Sequence, residues 1–238
     1  QKYTHYKFEF PSENLQPRIS GNYILKVFEK NGKTILYRRI LVIDKLINIY
    51  ANVRRATLAK NRSEKHEIDF IIKHPKLNIR DPFSEIKVYI KQNNRDDNSI
   101  TNLIPKFVKN NELIYDYEEE NIFMGGNEFR YFEFSSLRFL SERIKSISFD
   151  STFNHIYLFN DKKRTYNEYT ISPDINGEFY IKSSEGWNSS LEADYAFVHF
   201  SLETEQYNYG DVYLFGAFSN WEINEKYKLN YNSVKEKY

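Results

Sequence analysis

Apolar and polar residues alternate along short segments of this 238-residue chain. In one segment Ile86, Val88 and Ile90 take every second position, with Lys87 and Tyr89 between them. Successive side chains of a strand point to opposite faces, so this pattern is typical of a sheet with one buried face. The segments that alternate in this way, or that are rich in β-branched and aromatic residues, are 3–10, 23–29, 34–43, 46–53, 67–73, 85–91, 129–134, 144–149, 155–159, 166–171, 178–182, 195–202 and 212–218. Their spacing predicts an all-β fold of consecutive immunoglobulin-like sandwiches.

The clearest predicted element is a hairpin around Asn31 and Gly32. An Asn-Gly pair readily holds both positions of a two-residue turn at positive φ. This turn pairs Val27 with Leu36, Leu25 with Arg38 and Tyr23 with Ile40, and it turns the face of Tyr23, Leu25, Val27, Leu36, Ile40 and Val42 inward. A second Asn-Gly turn is predicted at Asn176 and Gly177, and residues 135–143 are the one segment that favours a helical turn.

The amino-acid composition limits which kinds of binding partner and which kinds of active site this chain can have. Tyr 20 and Phe 19 favour strands, because flat amphipathic rings suit a half-buried pleated surface. Lys+Arg 34 against Asp+Glu 33 leaves a formal charge of +1, so we expect no nucleic-acid partner. Cys 0 excludes disulfides, Cys-based zinc sites and a thiol nucleophile. No apolar run reaches the roughly 18 residues needed to span a bilayer, so we expect no membrane-spanning helix.

Candidate catalytic and metal-binding groups are scattered along the chain. The 5 histidines lack the short paired spacings of a zinc site. Adjacent acids such as Asp96 and Asp97 would point to opposite faces of a strand, which makes them poor pairs for hydrolysis. We therefore expect no catalytic residue, no metal and no cofactor. An enzyme whose site is assembled from carboxylates distant in sequence is an open alternative.

One polar loop is a candidate for recognition. Residues 92–98 follow a predicted strand directly and contain no apolar side chain. They combine the fork-shaped donor Arg95 with the acceptors Asp96 and Asp97. Loops on a rigid β-scaffold commonly carry binding residues, so this loop is either simply solvated or contacts a partner.

Two further segments combine glycine with aromatic residues. Residues 125–134 join a Gly-Gly turn to an alternating aromatic run, in which Glu128 and Arg130 share one parity and could pair. Residues 216–221 resemble the Gly-x-Phe-x-x-Trp turn of glycogen-binding and related early-set modules. Trp221 in such a turn either closes the core of its domain or stacks on a sugar.

Five blocks of this sequence occur in the order known from one family. They are SGNYILKV (20–27), QNNRDDN (92–98), GGNEFRYFEF (125–134), DING (174–177) and GAFSNW (216–221). Together they resemble the plug protein family of the type IX secretion system. The resemblance implies a protein that closes the periplasmic mouth of the outer-membrane translocon barrel, in the periplasm at the inner face of that membrane. In the family's usual loop an aromatic commonly follows the Arg, whereas here Asp96 follows Arg95.

The resemblance also implies a domain organisation. The family has a further β-rich part upstream and strands that continue past the last residue here, so we expect a fragment of a longer chain. We predict the closing strands of an immunoglobulin-like sandwich in 1–44, a middle sandwich in 45–184 and the start of an early-set-like domain in 185–238.

The function predicted on this basis is a non-enzymatic plug subunit whose partner is the translocon barrel protein. The residues expected to contact that partner are Asn93, Arg95, Asp96, Asp97, Gly125, Gly126, Asn127, Glu128 and Arg130. The alternative is a periplasmic or surface glycan-binding sandwich that uses Trp187 and Trp221.

Overall fold

The computed structural model describes residues 4–165 and 173–238. The chain forms two compact units: the first comprises Gln1–Val88 and Thr101–Ile122, and the second comprises Tyr89–Ile100 and Phe123–Tyr238. Strands dominate the regular structure, which confirms the predicted all-β class. Within the described ranges no helix is long and apolar enough to cross a bilayer. The predicted division at residues 44 and 184 stays a prediction.

The regular elements are short. The strands are β1 (Gly21–Phe28), β2 (Thr34–Val42), β3 (Asn48–Arg55), β4 (Lys65–Lys73), β5 (Phe107–Lys109), β6 (Glu112–Tyr115), β7 (Ile122–Met124), β8 (Ile144–Phe149), β9 (Asn154–Leu158), β10 (Asp161–Lys162), β11 (Ala196–His199), β12 (Leu202–Glu203), β13 (Val212–Tyr213) and β14 (Lys228–Leu229). Two one-turn α-helices, α1 (Pro82–Glu85) and α2 (Ser189–Glu192), and 3-10 turns at Ala217–Ser219 and Glu225–Tyr227 complete the description.

The hairpin β1–β2 has the predicted register, with Val27 opposite Leu36, Leu25 opposite Arg38 and Tyr23 opposite Ile40. The predicted inner face is the more covered one, since Leu25 is half-buried whereas Ile24 is 72% exposed. The predicted turn was wrong. Of the Asn-Gly pair only Gly32 has a positive φ (88°), and Gly32 N donates to Glu29 O at 2.9 Å. The strands are thus joined by a longer loop, and the register shifts by one residue after Val27.

The first unit also contains an antiparallel sheet with the strand order β3-β4-β6-β5. Its buried residues include Ile72 and Leu113, and the rings of Phe70 and Tyr115 stack at 4.4 Å. The sequence analysis missed β5 and β6. Their signal is weak, because each strand has at most four residues.

A buried carboxylate ties the ends of β3 and β4 in this sheet. Glu67 is fully buried and accepts hydrogen bonds from Arg54 Nη2 (2.7 Å), Thr57 N (2.6 Å) and Thr57 Oγ1 (2.9 Å). A buried charge is stable only when its oxygens are paired and hydrogen-bonded, and here a cation, an amide and a hydroxyl share that task.

The second unit contains a three-stranded sheet in the order β11-β9-β8. Strands β9 and β8 are antiparallel, whereas β11 and β9 run parallel. Every second residue of the central strand faces a core formed by Ile144, Ile156 and Leu158. Phe132 and Phe134 pack on this core from one side. The alternation of residues 129–134 predicted a buried face opposite to Glu128 and Arg130, and this was wrong, because Phe132 and Phe134 share the parity of Arg130 whereas Tyr131 is 52% exposed.

Several segments predicted as strands have no ladder pairing. They are residues 4–10, 85–89, 129–134, 178–182 and 214–218, and residues 135–143 form bends and a turn where a helical turn was predicted. Residues 4–9 and 178–182 are exposed throughout. An alternating pattern does not specify the neighbour that a strand needs for its backbone groups. Ile90, for example, forms a single bridge to Ile100. The predicted strand 166–171 lies outside the described residues.

We expect Ile156→Ala to lower the free energy of unfolding by about 2–5 kcal/mol, because Ile156 is fully buried on the central strand and the cavity cannot be refilled. Ile223→Ala is the matched control in the same unit, since Ile223 is 73% exposed, and it should stay within about 0.5 kcal/mol of the parent. Urea unfolding followed by circular dichroism measures both. Equal losses in the two variants would contradict a core centred on Ile156.

Candidate functional site

Four of the five blocks that carry the family resemblance meet in the second unit. The meeting point consists of Arg95, Phe129, Gly177, Phe215 and Trp221, which we call the aromatic hub. These five residues come from four loops, with Phe215 and Trp221 on the same one, so the hub fixes loops that the strands alone leave unconnected. The described structure thus brings together segments that lie up to 126 positions apart, from residue 95 to residue 221.

The Arg95 side chain is held from two sides. Its guanidinium carbon lies 4.5 Å from the Trp221 ring centroid and 5.5 Å from that of Phe215. Its Nε and Nη2 donate to the two carboxylate oxygens of Asp97 at 3.0 and 2.6 Å. These hydrogen bonds raise the pKa of Arg95 and lower the pKa of Asp97. With 21% of its side chain exposed, Arg95 serves mainly as an internal clamp.

Trp221 is packed rather than displayed. Its ring meets Phe129 at 5.6 Å and Phe215 at 5.4 Å, both edge to face. Asn220 and Trp221 have φ values of 53° and 58°, in the left-handed region that non-glycine residues rarely adopt. Holding a tryptophan there costs of the order of 1 kcal/mol, which the ring contacts must offset.

Gly177 is required by both conformation and space. Its φ is +77°, and a Cβ at this position would lie 3.0 Å from Trp221 and 3.1 Å from Phe129. Asn176 also has a positive φ (55°), and Glu178 N donates to Ile175 O at 3.0 Å. The predicted Asn-Gly turn at 176–177 is therefore confirmed.

The Asp174 carboxylate joins this turn to the 125–134 block. One of its oxygens accepts from Phe129 N at 2.6 Å, and the other accepts from Asn176 N at 2.8 Å. A single acidic side chain thereby sets the distance between the two loops that carry Phe129 and Gly177.

The 92–98 loop is folded against its own unit. Gln92 donates to Met124 O at 2.8 Å, and Asn94 donates to Glu178 at 3.1 Å. Asn93 and Asn94 adopt φ values of 53° and 57°, which Asn tolerates better than most residues. Asp96 accepts a hydrogen bond from Tyr89 at 2.5 Å and pairs with Lys91. Among the predicted contact residues of this loop, Asn93 therefore projects outward while Arg95 and Asp97 brace the loop.

Arg130 has the same bracing role in the 125–130 segment. Its guanidinium donates to Asp161 Oδ1 at 2.5 Å and to Lys162 O at 2.6 Å. Arg143 donates to the same Asp161 oxygen at 2.6 Å. Asp161 was missed by the sequence analysis, since nothing in its local sequence indicates that two arginines share it. The backbone carbonyl of Glu128 accepts a hydrogen bond from Arg164 Nη1 at 2.7 Å.

The remaining predicted site residues are exposed. Gly125, Gly126 and Asn127 lie at the surface of the second unit. Trp187 is fully exposed, in contrast to Trp221. Four further large aromatics of this unit that the sequence analysis did not single out, Phe179, Tyr180, Tyr195 and Tyr209, are also mostly exposed.

Two histidines that are distant in sequence form a hydrogen-bonded chain with Asp150. His155 Nε2 lies 2.8 Å from Asp150 Oδ2, and His155 Nδ1 lies 2.9 Å from His199 Nε2. Hydrogen bonds from the Phe153 amide, then from His155, lower the pKa of Asp150 to about 2. Partial burial, followed by the charge of His155, lowers the pKa of His199. No group of three acidic or histidine side chains in the described ranges is arranged to hold a metal.

We expect Arg95→Met and Trp221→Leu to be non-additive. A double-mutant cycle measured by urea unfolding should give a coupling of about 1 kcal/mol, because the stacked guanidinium is partly desolvated. Lys26 and Phe28 provide the control, since Lys26 lies over that ring at 5.7 Å on an exposed hairpin. The cycle of Lys26→Met with Phe28→Leu should give a much smaller coupling. Additive losses at Arg95 and Trp221 would mean that the stack does not hold the loops.

We expect the protein to lose stability as the pH falls from about 7 to about 5. The pKa of His199 is lowered in the folded state, so the unfolded chain binds more protons in this window and low pH favours unfolding. His199→Gln should make the dependence of the urea midpoint on pH shallower, whereas His66→Gln, at an exposed position, should leave it unchanged. An unaltered slope in His199→Gln would contradict this assignment.

Comparisons with known proteins show similarity to a family model and to a solved structure. Residues 1–44 match the family model described as Type 9 secretion system plug protein 1st domain. The chain is also similar to the crystal structure of a hypothetical protein from Parabacteroides merdae ATCC 43184 at 2.30 Å resolution, with 30% sequence identity and a TM-score of 0.87. That similarity covers 96% of this chain and 58% of the other, so the chain spans little more than half the length of that protein.

No curated protein matches this sequence. The match over residues 1–44 confirms the family resemblance that the sequence blocks indicated. The similarity to the type 9 secretion system plug protein family is thus located at residues 1–44, which match the model of its first domain.

Proposed function

We propose that this chain is a non-catalytic plug subunit that binds and seals the periplasmic opening of the outer-membrane translocon of the type 9 secretion system. The observation that carries the proposal is the family match over residues 1–44, which associates the chain with this system. The protein would act in the periplasm, at the inner face of the outer membrane and without spanning it. Its partner is the translocon barrel protein.

The proposed mechanism is obstruction by a preorganised surface. A stable protein interface buries of the order of 1,600 Å², and a few central residues carry most of its energy. Loops that are already fixed lose little conformational entropy on binding, so the aromatic hub supports affinity without touching the partner. In this division of roles Arg95, Asp97 and Arg130 brace the loops from within.

The contacts themselves then come from the exposed members of the two braced loops. These are Asn93 and the segment from Gly125 to Asn127. Asp96 and Glu128 lie at the border of this surface and have partners within the chain. Exposed aromatics of the same unit are the kind of residue that anchors interfaces.

We expect Asn127→Lys to lower the amount of translocon recovered with the tagged chain from outer membranes of the native host by about tenfold, because a long cation replaces a short amide at a packed contact. Asn208→Lys is the control, since it makes the same exchange at another exposed position of the second unit. Asn93→Gly gives a second test, because glycine keeps the positive φ while removing the side chain. Undiminished recovery with Asn127→Lys and Asn93→Gly would exclude these loops as contacts.

The alternative function, glycan binding, has one supporting observation, the full exposure of Trp187. Trp221 contributes less to it, because Arg95 lies over its ring. Isothermal titration with α- and β-glucans separates the two proposals. Only the glycan-binding alternative gives heat of binding in this titration and loses it on Trp187→Ala.

A further inference from the structure

The first unit contains an open cleft of about 490 Å³ that has no part in the function proposed above. It lies between the segment that follows β4, from His74 to Arg80, and the turn that joins β5 to β6. Its apolar lining includes Leu77 and Val108. A cleft of this volume accommodates a few residues of an extended peptide or a small organic ligand.

The charge on the lining is one-sided. Lys76, Arg80 and Lys109 line the cleft, and no carboxylate does. The nearby Glu112 is paired with Lys73 at 2.8 Å and lies opposite Lys109 across β5 and β6; Lys73 first, and Lys109 after it, lower the pKa of Glu112. Within the described ranges none of the three lining cations lies within 4 Å of a carboxylate oxygen. The cleft therefore favours an occupant with negative charge.

A buried histidine supplies an acceptor in the same wall. His74 is 7% exposed and lines the cleft, and its Nδ1 lies 3.0 Å from Leu77 O. A carbonyl only accepts, so Nδ1 carries the hydrogen, and Nε2 is the ring atom that can accept a hydrogen bond when it carries none. No described residue donates to this nitrogen. An N–H group of a bound ligand can satisfy it.

An open strand edge borders the cleft. β5 is the last strand in the order β3-β4-β6-β5, and its residues Val108 and Lys109 line the cleft. Within the described sheet β5 pairs with β6 alone. An edge of this kind offers backbone donors and acceptors to an extended segment, which gains main-chain hydrogen bonds by pairing with it.

We propose that this cleft binds an extended acidic peptide segment in which carboxylate and apolar side chains alternate. The carboxylates face Lys76, Arg80 and Lys109, and the apolar side chains cover Leu77 and Val108. The backbone pairs with the edge of β5, and one peptide N–H donates to His74. A free anion such as phosphate uses the cations but neither the strand edge nor the apolar lining.

The test uses the full chain, labelled with ¹⁵N, and three probes. These are acetyl-Val-Glu-Val-Glu-amide, its counterpart with Lys in place of Glu, and inorganic phosphate. The acidic peptide should shift the amide signals of β5 and of residues 76–80 and bind at least about tenfold more tightly than the basic peptide. Binding should weaken on going from about 0.05 M to about 0.5 M NaCl, because exposed charges are screened.

Variants then locate the site. Lys76→Ser combined with Lys109→Ser should weaken binding of the acidic peptide by about tenfold, whereas Lys33→Ser, at an exposed lysine of the hairpin turn, should leave it unchanged. The variants remove only exposed side chains, so the fold is preserved and circular dichroism verifies it. Equal binding of the two peptides, shifts with phosphate alone, or no shift with any probe would each overturn the proposal.

Discussion

The stacking of the Arg95 guanidinium on Trp221 is the contact on which the loops of the second unit depend. Arg95 reaches this position because its Nε and Nη2 donate to the Asp97 carboxylate, and the ring reaches it because the chain turns through a left-handed conformation at Trp221. The neighbouring loop can approach only because Gly177 lacks a Cβ. Each requirement is local, but together they fix loops that no ladder of backbone hydrogen bonds joins.

The charged clusters follow the same logic. Asp161 takes a guanidinium hydrogen bond from Arg130 and another from Arg143, and Glu67 in the first unit gathers Arg54 and Thr57. A carboxylate that receives several donors is stable in a buried or half-buried place because its own oxygens stay hydrogen-bonded. Arg95 and Arg130, which the sequence analysis predicted as partner contacts, both make charge-assisted hydrogen bonds within the protein. Their role toward a partner stays a prediction.

The sequence predicted what depends on neighbours in the chain. The hairpin register followed from alternation, and the Asn176 and Gly177 turn followed from their tolerance of positive φ. The two-residue turn predicted for the same dipeptide at residues 31 and 32 was wrong, because a longer loop with Gly32 alone at positive φ connects the strands. The hub and the His155–His199 contact could not be predicted, since ring packing between residues 44 or more positions apart leaves no periodic trace. The parallel pairing of β11 with β9 could not be predicted either, because the two strands are distant in sequence.

The family match and the aromatic hub lie in different parts of the chain, so family membership and loop bracing rest on different residues. The match covers residues 1–44, whereas all five hub residues belong to the second unit. The structural similarity to the Parabacteroides merdae protein covers 96% of this chain. The similarity in fold therefore extends well beyond residues 1–44. A change in the hub alters how firmly the loops are held, and a change in their exposed residues alters what they can touch. Stability and partner recovery thus report on different residues of the same loops, because bracing and contact are carried by different side chains.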